Sequence, residues 1–112
     1  MPAPAAPNEK LAALVDVLGE AETRELVALF LQSFPAQMDE LAKADRERGH
    51  RAAHGLKSTS QQMGAADLAA RMADLEARLS VPGQAVARAD IEAAAAAFRA
   101  AEGALRKFAA GG

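Results

Sequence analysis

His54, Lys57, Ser58 and Gln61 lie in the stretch from Asp45 to Met63, DRERGHRAAHGLKSTSQQM. That stretch is long enough for one helix of about five turns. At about 100° per residue, Glu47, His50, His54, Lys57, Ser58 and Gln61 all fall within about 60° of His54. Gly49, Ala52, Ala53, Leu56, Thr59, Ser60 and Met63, small or apolar with two hydroxyls among them, take the other side. Imidazole is in general mostly neutral near pH 7 and so offers a lone pair. With an ammonium one turn away and hydrogen-bond donors beside it, such a nitrogen can take up a dianionic phosphoryl group.

Each of these residues also has a plainer reading. A lone exposed histidine is usually a surface residue, and Lys57 alone would be ordinary helix charge. What singles the pair out is their one-turn offset. His50 and His54, four apart, could share zinc if further ligands joined them. No HExxH is present and Glu47 is the one nearby carboxylate on that face, so no metal is expected. His50 then reads as a solvated neighbour of His54. Gly55 would cost about 1 kcal/mol inside a helix relative to alanine. Close approach of a partner's backbone beside His54 would account for it. The sequence holds no Walker-type or other glycine-rich phosphate loop and no acidic cluster for magnesium.

The elements that position this face can be read in order. Residues 1–7 hold three prolines among alanines and predict an extended, disordered lead-in. Asn8 can cap a first short helix with Leu11, Leu14, Val15 and Leu18 at helical spacing, ended by Gly19. A second helix is expected from about Ala21 to Ala44, its inward stripe Val27, Phe30, Leu31, Phe34, Met38 and Leu41. Pro35 lies within it and predicts a kink after Leu31. Asp45 is the expected N-cap of the third helix and Gly64 closes it. The fourth runs from about Ala65 to Leu79, with Leu68, Met72, Leu75 and Leu79 inward. Arg71, Asp74, Glu76 and Arg78 read as its solvated face. Ser80–Gly83 is a turn, and a last helix is expected over about Gln84 to Ala109 on the seam Ile91, Ala94, Ala95, Phe98, Ala101, Leu105 and Phe108. Phe30, Phe34, Phe98 and Phe108 read as core. The expected fold is all-α: an up-down antiparallel four-helix bundle with an additional short N-terminal helix. One domain spans 8–109, with a frayed end at 110–112.

Composition sets limits on this reading. With 112 residues the chain fits one domain. Hydrophobic residues make up 51%, largely alanine, and aromatics 4%, which favours helices over sheet. There are no cysteines, in keeping with a reducing compartment. The net charge of -2 argues against nucleic-acid binding. No apolar run approaches the roughly 18 residues of a membrane span, and MPAPAAPNEK lacks the features of a secretory signal. A cytoplasmic location follows as the expectation.

HGLKSTSQQMGA, from His54 to Ala65, resembles the signature of histidine-containing phosphotransfer (HPt) domains: His-x-Leu-Lys-(Gly or Ser), then Gly-Ala after a short interval. The matching positions are His54, Leu56, Lys57, Ser58, Gly64 and Ala65. Asp45, Ala53, Leu68, Leu75 and Glu76 match around it, and Leu29, Phe30 and Phe34 resemble the Leu-Phe stretch of the family's preceding helix. The likeness covers about Leu11 to Leu79. Ser58 stands where many members have Gly, and Gly49 where a leucine is common, which should thin that layer of the core.

The resemblance implies a phosphorelay intermediate without its own ATP site. His54 would accept the phosphoryl group from a receiver-domain aspartate and pass it to another, and Lys57 would be the assisting cation. Ser58 and Gln61 could each donate a hydrogen bond. The partners implied are response-regulator receiver domains and a hybrid sensor histidine kinase. Magnesium would sit on the receiver, and this chain needs no cofactor. Docking is expected over Glu47, Arg48, His50, Arg51 and Gly55, with apolar contacts from the first helix and the start of the second. The bundle closes without a second chain, so a monomer is expected, and the initiating Met1 suggests a separate protein. The rival reading is a helical adaptor that only binds other helices, its histidine incidental or degenerate.

Overall fold

The computed structural model describes residues 5–111. Five helices follow one another, with no strand among the described residues: α1 Glu9–Leu18, α2 Glu20–Lys43, α3 Arg46–Gln62, α4 Ala66–Leu79 and α5 Arg88–Ala109. Helix α2 packs against α3 and α5, and α4 packs against the same two. The backbones of α2 and α4, and those of α3 and α5, do not approach closely, so these are the diagonals. The order around the bundle is therefore α2, α3, α4, α5. The connections between consecutive helices are short, and neighbours run antiparallel. Helix α1 lies outside the ring against α2 and α3.

The inward stripes account for this arrangement. Val27, Phe30, Leu31, Phe34, Met38 and Leu41 are all buried on α2, as are Leu68, Met72, Leu75 and Leu79 on α4. The rings of Phe34 and Phe98 stack in parallel at 4.2 Å, and Phe30 packs against both. Stacking ties α2 to α5 at mid-height. Helix α2 runs through Pro35 as one element, with Pro35 itself exposed. The missing N–H costs a bond on the outer side and leaves the buried stripe in phase.

Asn8 has two jobs. Its Oδ1 accepts from Leu11 N at 2.9 Å and caps α1. Its Nδ2 donates to Met63 O at 2.9 Å and ties α1 to the end of α3. Gly19, at φ 86°, ends α1 and starts α2 at a single residue. Of the lead-in expected over 1–7, residues 1–4 lie outside the described residues, and Ala6 packs against the core. At the other end Gly112 lies outside them, and Gly111 N donates to Phe108 O.

Two expectations are corrected. Helix α5 starts at Arg88, not at Gln84. Ala87 is extended, and its N–H donates to Asp90 Oδ2 at 2.9 Å, so Asp90 closes the first turn. The preceding residues are held differently: Val86 is half-buried against the core. The layer at Gly49 is not thin. A Cβ built on Gly49 would stand 3.1 Å from both Leu79 Cδ1 and Val86 Cγ2. Those side chains take up the space a larger residue would fill, and Val86 reaches it because its segment is not helical.

Candidate functional site

Helix α3 is set at both ends. Asp45 Oδ1 accepts from Arg48 N at 2.8 Å as the N-cap. At the C-terminus Gly64 takes φ 71°, and Ala65 N donates to Ser60 O at 3.0 Å. A left-handed residue there favours glycine. A side chain at Gly64 would also run into the Asn8 amide. Between these ends Gly49, Ala53, Leu56, Ser60 and Met63 are buried. The helix is thereby held with His54 outward, its side chain 61% exposed.

His54 does not stand alone. Its Nδ1 lies 2.5 Å from Glu76 Oε2 on α4. Lys57 Nζ donates to Glu76 Oε1, also at 2.5 Å. One carboxylate thus bridges the two residues that the sequence placed on one face. The Lys57 and Glu76 side chains are 24% and 16% exposed, so the bridge is partly shielded from water while the ring is open. The Lys57 hydrogen bond, with the His54 bond and both positive neighbours behind it, holds the Glu76 carboxyl below the usual carboxylate range, against the opposing effect of burial. An ionised carboxylate only accepts, so the hydrogen shared with it belongs to His54 Nδ1. That leaves the lone pair on Nε2. A carboxylate in this position also fixes the ring's tautomer and orientation.

Glu76 was read from sequence as part of a solvated face, and this is a correction. Of that group Arg71 and Asp74 are exposed, while Arg78 pairs with Asp90. A signal was there. On the α4 wheel Glu76 lies only about 70° from the centre of the Leu68, Met72, Leu75, Leu79 stripe, at its edge and not opposite it.

The other expected residues fall on either side of His54. Ser58 and Gln61 are exposed and line a groove of about 500 Å³ with Lys10, Ala13, Leu14 and Val17 of α1. Val17 is 80% exposed and Leu29 of α2 59%. Glu47, His50 and Arg51 line a separate cleft with Arg46 and Ser80. Gly55 is exposed beside His54, and a Cβ there would meet nothing within 4 Å. The fold does not demand glycine at that position. Lys10, Arg46 and Ser80 were not singled out from sequence. They come from other elements or from the helix start, where periodicity around His54 says nothing. Among the described residues no three of His, Asp or Glu gather as metal ligands, and no helix is long and apolar enough to cross a membrane.

A ring of four helices, with an open imidazole on one of them held from behind by a carboxylate on the next, defines a class: helical bundles that present a carboxylate-held histidine on their surface. Residues 25–107 match the family model described as Hpt domain, and the chain belongs to that family. Membership implies histidine phosphotransfer in two-component phosphorelays, by a phosphocarrier and not by an enzyme with its own ATP site. No curated protein and no solved structure matches the chain.

Proposed function

We propose that this protein is a cytoplasmic, monomeric relay intermediate that takes a phosphoryl group onto His54 from a receiver-domain aspartate and gives it to another. The single observation that carries the reading is the His54–Glu76 bond. It occupies Nδ1 and leaves Nε2, on a side chain that is 61% exposed, as the nucleophile. Nε2 attacks phosphorus in line. The N–P bond forms as the bond from phosphorus to the aspartyl oxygen breaks, and the aspartate carboxylate leaves with that electron pair. The ring gains positive charge, which Glu76 stabilises through the Nδ1 hydrogen. Transfer onward is the same displacement reversed on a second aspartate.

Lys57 contributes a point charge to the phosphoryl oxygens, sharing its hydrogens between them and Glu76. Ser58 and Gln61 lie on the same face as donors. The receiver supplies the aspartate and its magnesium. A hybrid sensor kinase stands upstream. The docking face runs from the rim of Glu47, His50 and Arg51 across Gly55 to the α1 groove, with Val17 and Leu14 as apolar contacts.

The test is incubation with a phosphorylated receiver, looking for an acid-labile, alkali-stable label. Wild type should take the label and His54→Gln should not. Label retained by His54→Gln would overturn the site. Receiver binding with no label on wild type would make the protein an adaptor instead.

A further inference from the structure

The cleft at the start of α3 has a composition that acceptor chemistry does not require. It is about 290 Å³, open, and lined by Arg46, Glu47, His50, Arg51 and Ser80. Arg46 is fixed in its wall: Nη1 donates to Leu79 O at 3.0 Å, which also ties α3 to the end of α4. Neither Arg46 nor Arg51 forms an ion pair among the described residues. The other cation beside the acceptor, Lys57, is already paired with Glu76. Two guanidiniums face one carboxylate, so the cleft is cationic by one charge. His50 precedes His54 by one turn, about 6 Å along the helix axis. A protein that brings an aspartyl phosphate onto His54 therefore has this cleft within reach of the same surface.

We infer that the Arg46–Arg51 cleft receives a carboxylate side chain from the docked receiver and so helps to select which receivers exchange phosphoryl groups with His54. The inference rests on the phosphocarrier reading above and adds to it the chemistry of the partner's contact. A protein carboxylate fits better than a free phosphate. One negative charge matches the net charge of the cleft, whereas a dianion would meet Glu47 in the same opening. Arginine suits the task, because its planar fork binds a carboxylate through two parallel hydrogen bonds. An exposed charge of this kind acts mainly on the association rate and on choice of partner, and salt weakens it.

The experiment compares wild type, Arg51→Glu, Arg51→Lys and, on the far side of the bundle, Arg99→Glu. Each is labelled in two ways: by the phosphorylated receiver domain that labels wild type fastest, and by phosphoramidate, which has no surface to dock. At low salt Arg51→Glu should slow receiver transfer on the order of tenfold, with the gap closing as salt rises. Arg51→Lys should recover most of the rate and Arg99→Glu should match wild type. Phosphoramidate labelling of Arg51→Glu should persist. Receiver transfer by Arg51→Glu at the wild-type rate would overturn the cleft assignment alone. So would an equal loss with both donors, or an equal loss in Arg99→Glu. Inorganic phosphate that moves the His50 ring resonances as far as the receiver does would make the cleft a free-anion site and also end the proposal. Failure of wild type to take label from either donor would instead overturn the phosphocarrier reading itself.

Discussion

Glu76 Oε2 lies 2.5 Å from His54 Nδ1, across the contact between α4 and α3, while the same carboxylate holds Lys57 Nζ through its other oxygen. The orientation of the His54 ring is thus set by a helix other than its own.

This bond sets the first prediction. Glu76→Gln puts an amide where only acceptors stood, and that amide can donate to Nδ1. The ring would then carry its hydrogen on Nε2 and lose the reactive lone pair. Glu76→Ala only frees the ring. Both should slow labelling of His54 by about 10- to 100-fold, by analogy with the carboxylates that orient metal-bound histidines, with Glu76→Gln the slower. Ring ¹⁵N shifts read the tautomer directly. Nδ1–H in wild type and Nε2–H in Glu76→Gln are expected; the same tautomer in both would mean that the carboxylate does not set it.

Acidification should uncouple the same bridge. Glu76 is held below its ordinary value, so the folded state binds its proton less readily than the unfolded chain does. Its contribution to stability is complete above the unfolded glutamate value of about 4.3 and is lost as pH falls through the lower folded value. Urea midpoints of wild type and Glu76→Gln should differ at pH 7 and converge toward pH 3. A gap that stays constant across that range would remove Glu76 from the acid response.

Gly55 separates folding from docking. Alanine there has open space and better helix propensity, so Gly55→Ala should raise stability by about 1 kcal/mol. Receiver transfer should nonetheless slow, because a methyl group beside His54 holds the partner's backbone away. Thermal melts and transfer rates on one preparation check both halves. Faster or unchanged transfer would mean that the partner does not come close at this point.

Gly49→Leu tests how the core was filled. The common family residue would meet Leu79 and Val86 at once, so it should destabilise by about 1–3 kcal/mol by overpacking. Val86→Ala added to Gly49→Leu should recover part of the loss. Denaturant titrations of the single and double variants give the coupling, and additive effects would show that the two side chains do not compete for one space.

Helix α3 could be read from sequence because every cue on it is local: a cap at Asp45, a glycine stop at Gly64, and a small or apolar face opposite a polar one. The same holds for α1, where Asn8 and Gly19 stand at its ends. What depended on distant parts of the chain was less visible. Glu76 sits at the margin of its stripe, and whether it faces water or His54 depends on how α4 is rotated against α3. The start of α5 was misplaced for a similar reason. Helix propensity over residues 84–87 is adequate, but Val86 packs beside Gly49, and Asp90 both receives Arg78 and accepts from Ala87 N. His54 and Lys57 were found by their spacing; the carboxylate that joins them lay nineteen and more residues away.

The diagonal position of α5 has a practical side. Because α5 lies diagonally across the bundle from α3, its outer surface, including Arg99 and Ala100, looks away from His54. A dye or an immobilising tether placed there would leave the His54 side open to visitors, so single encounters with candidate receivers could be timed on a surface without obstructing them.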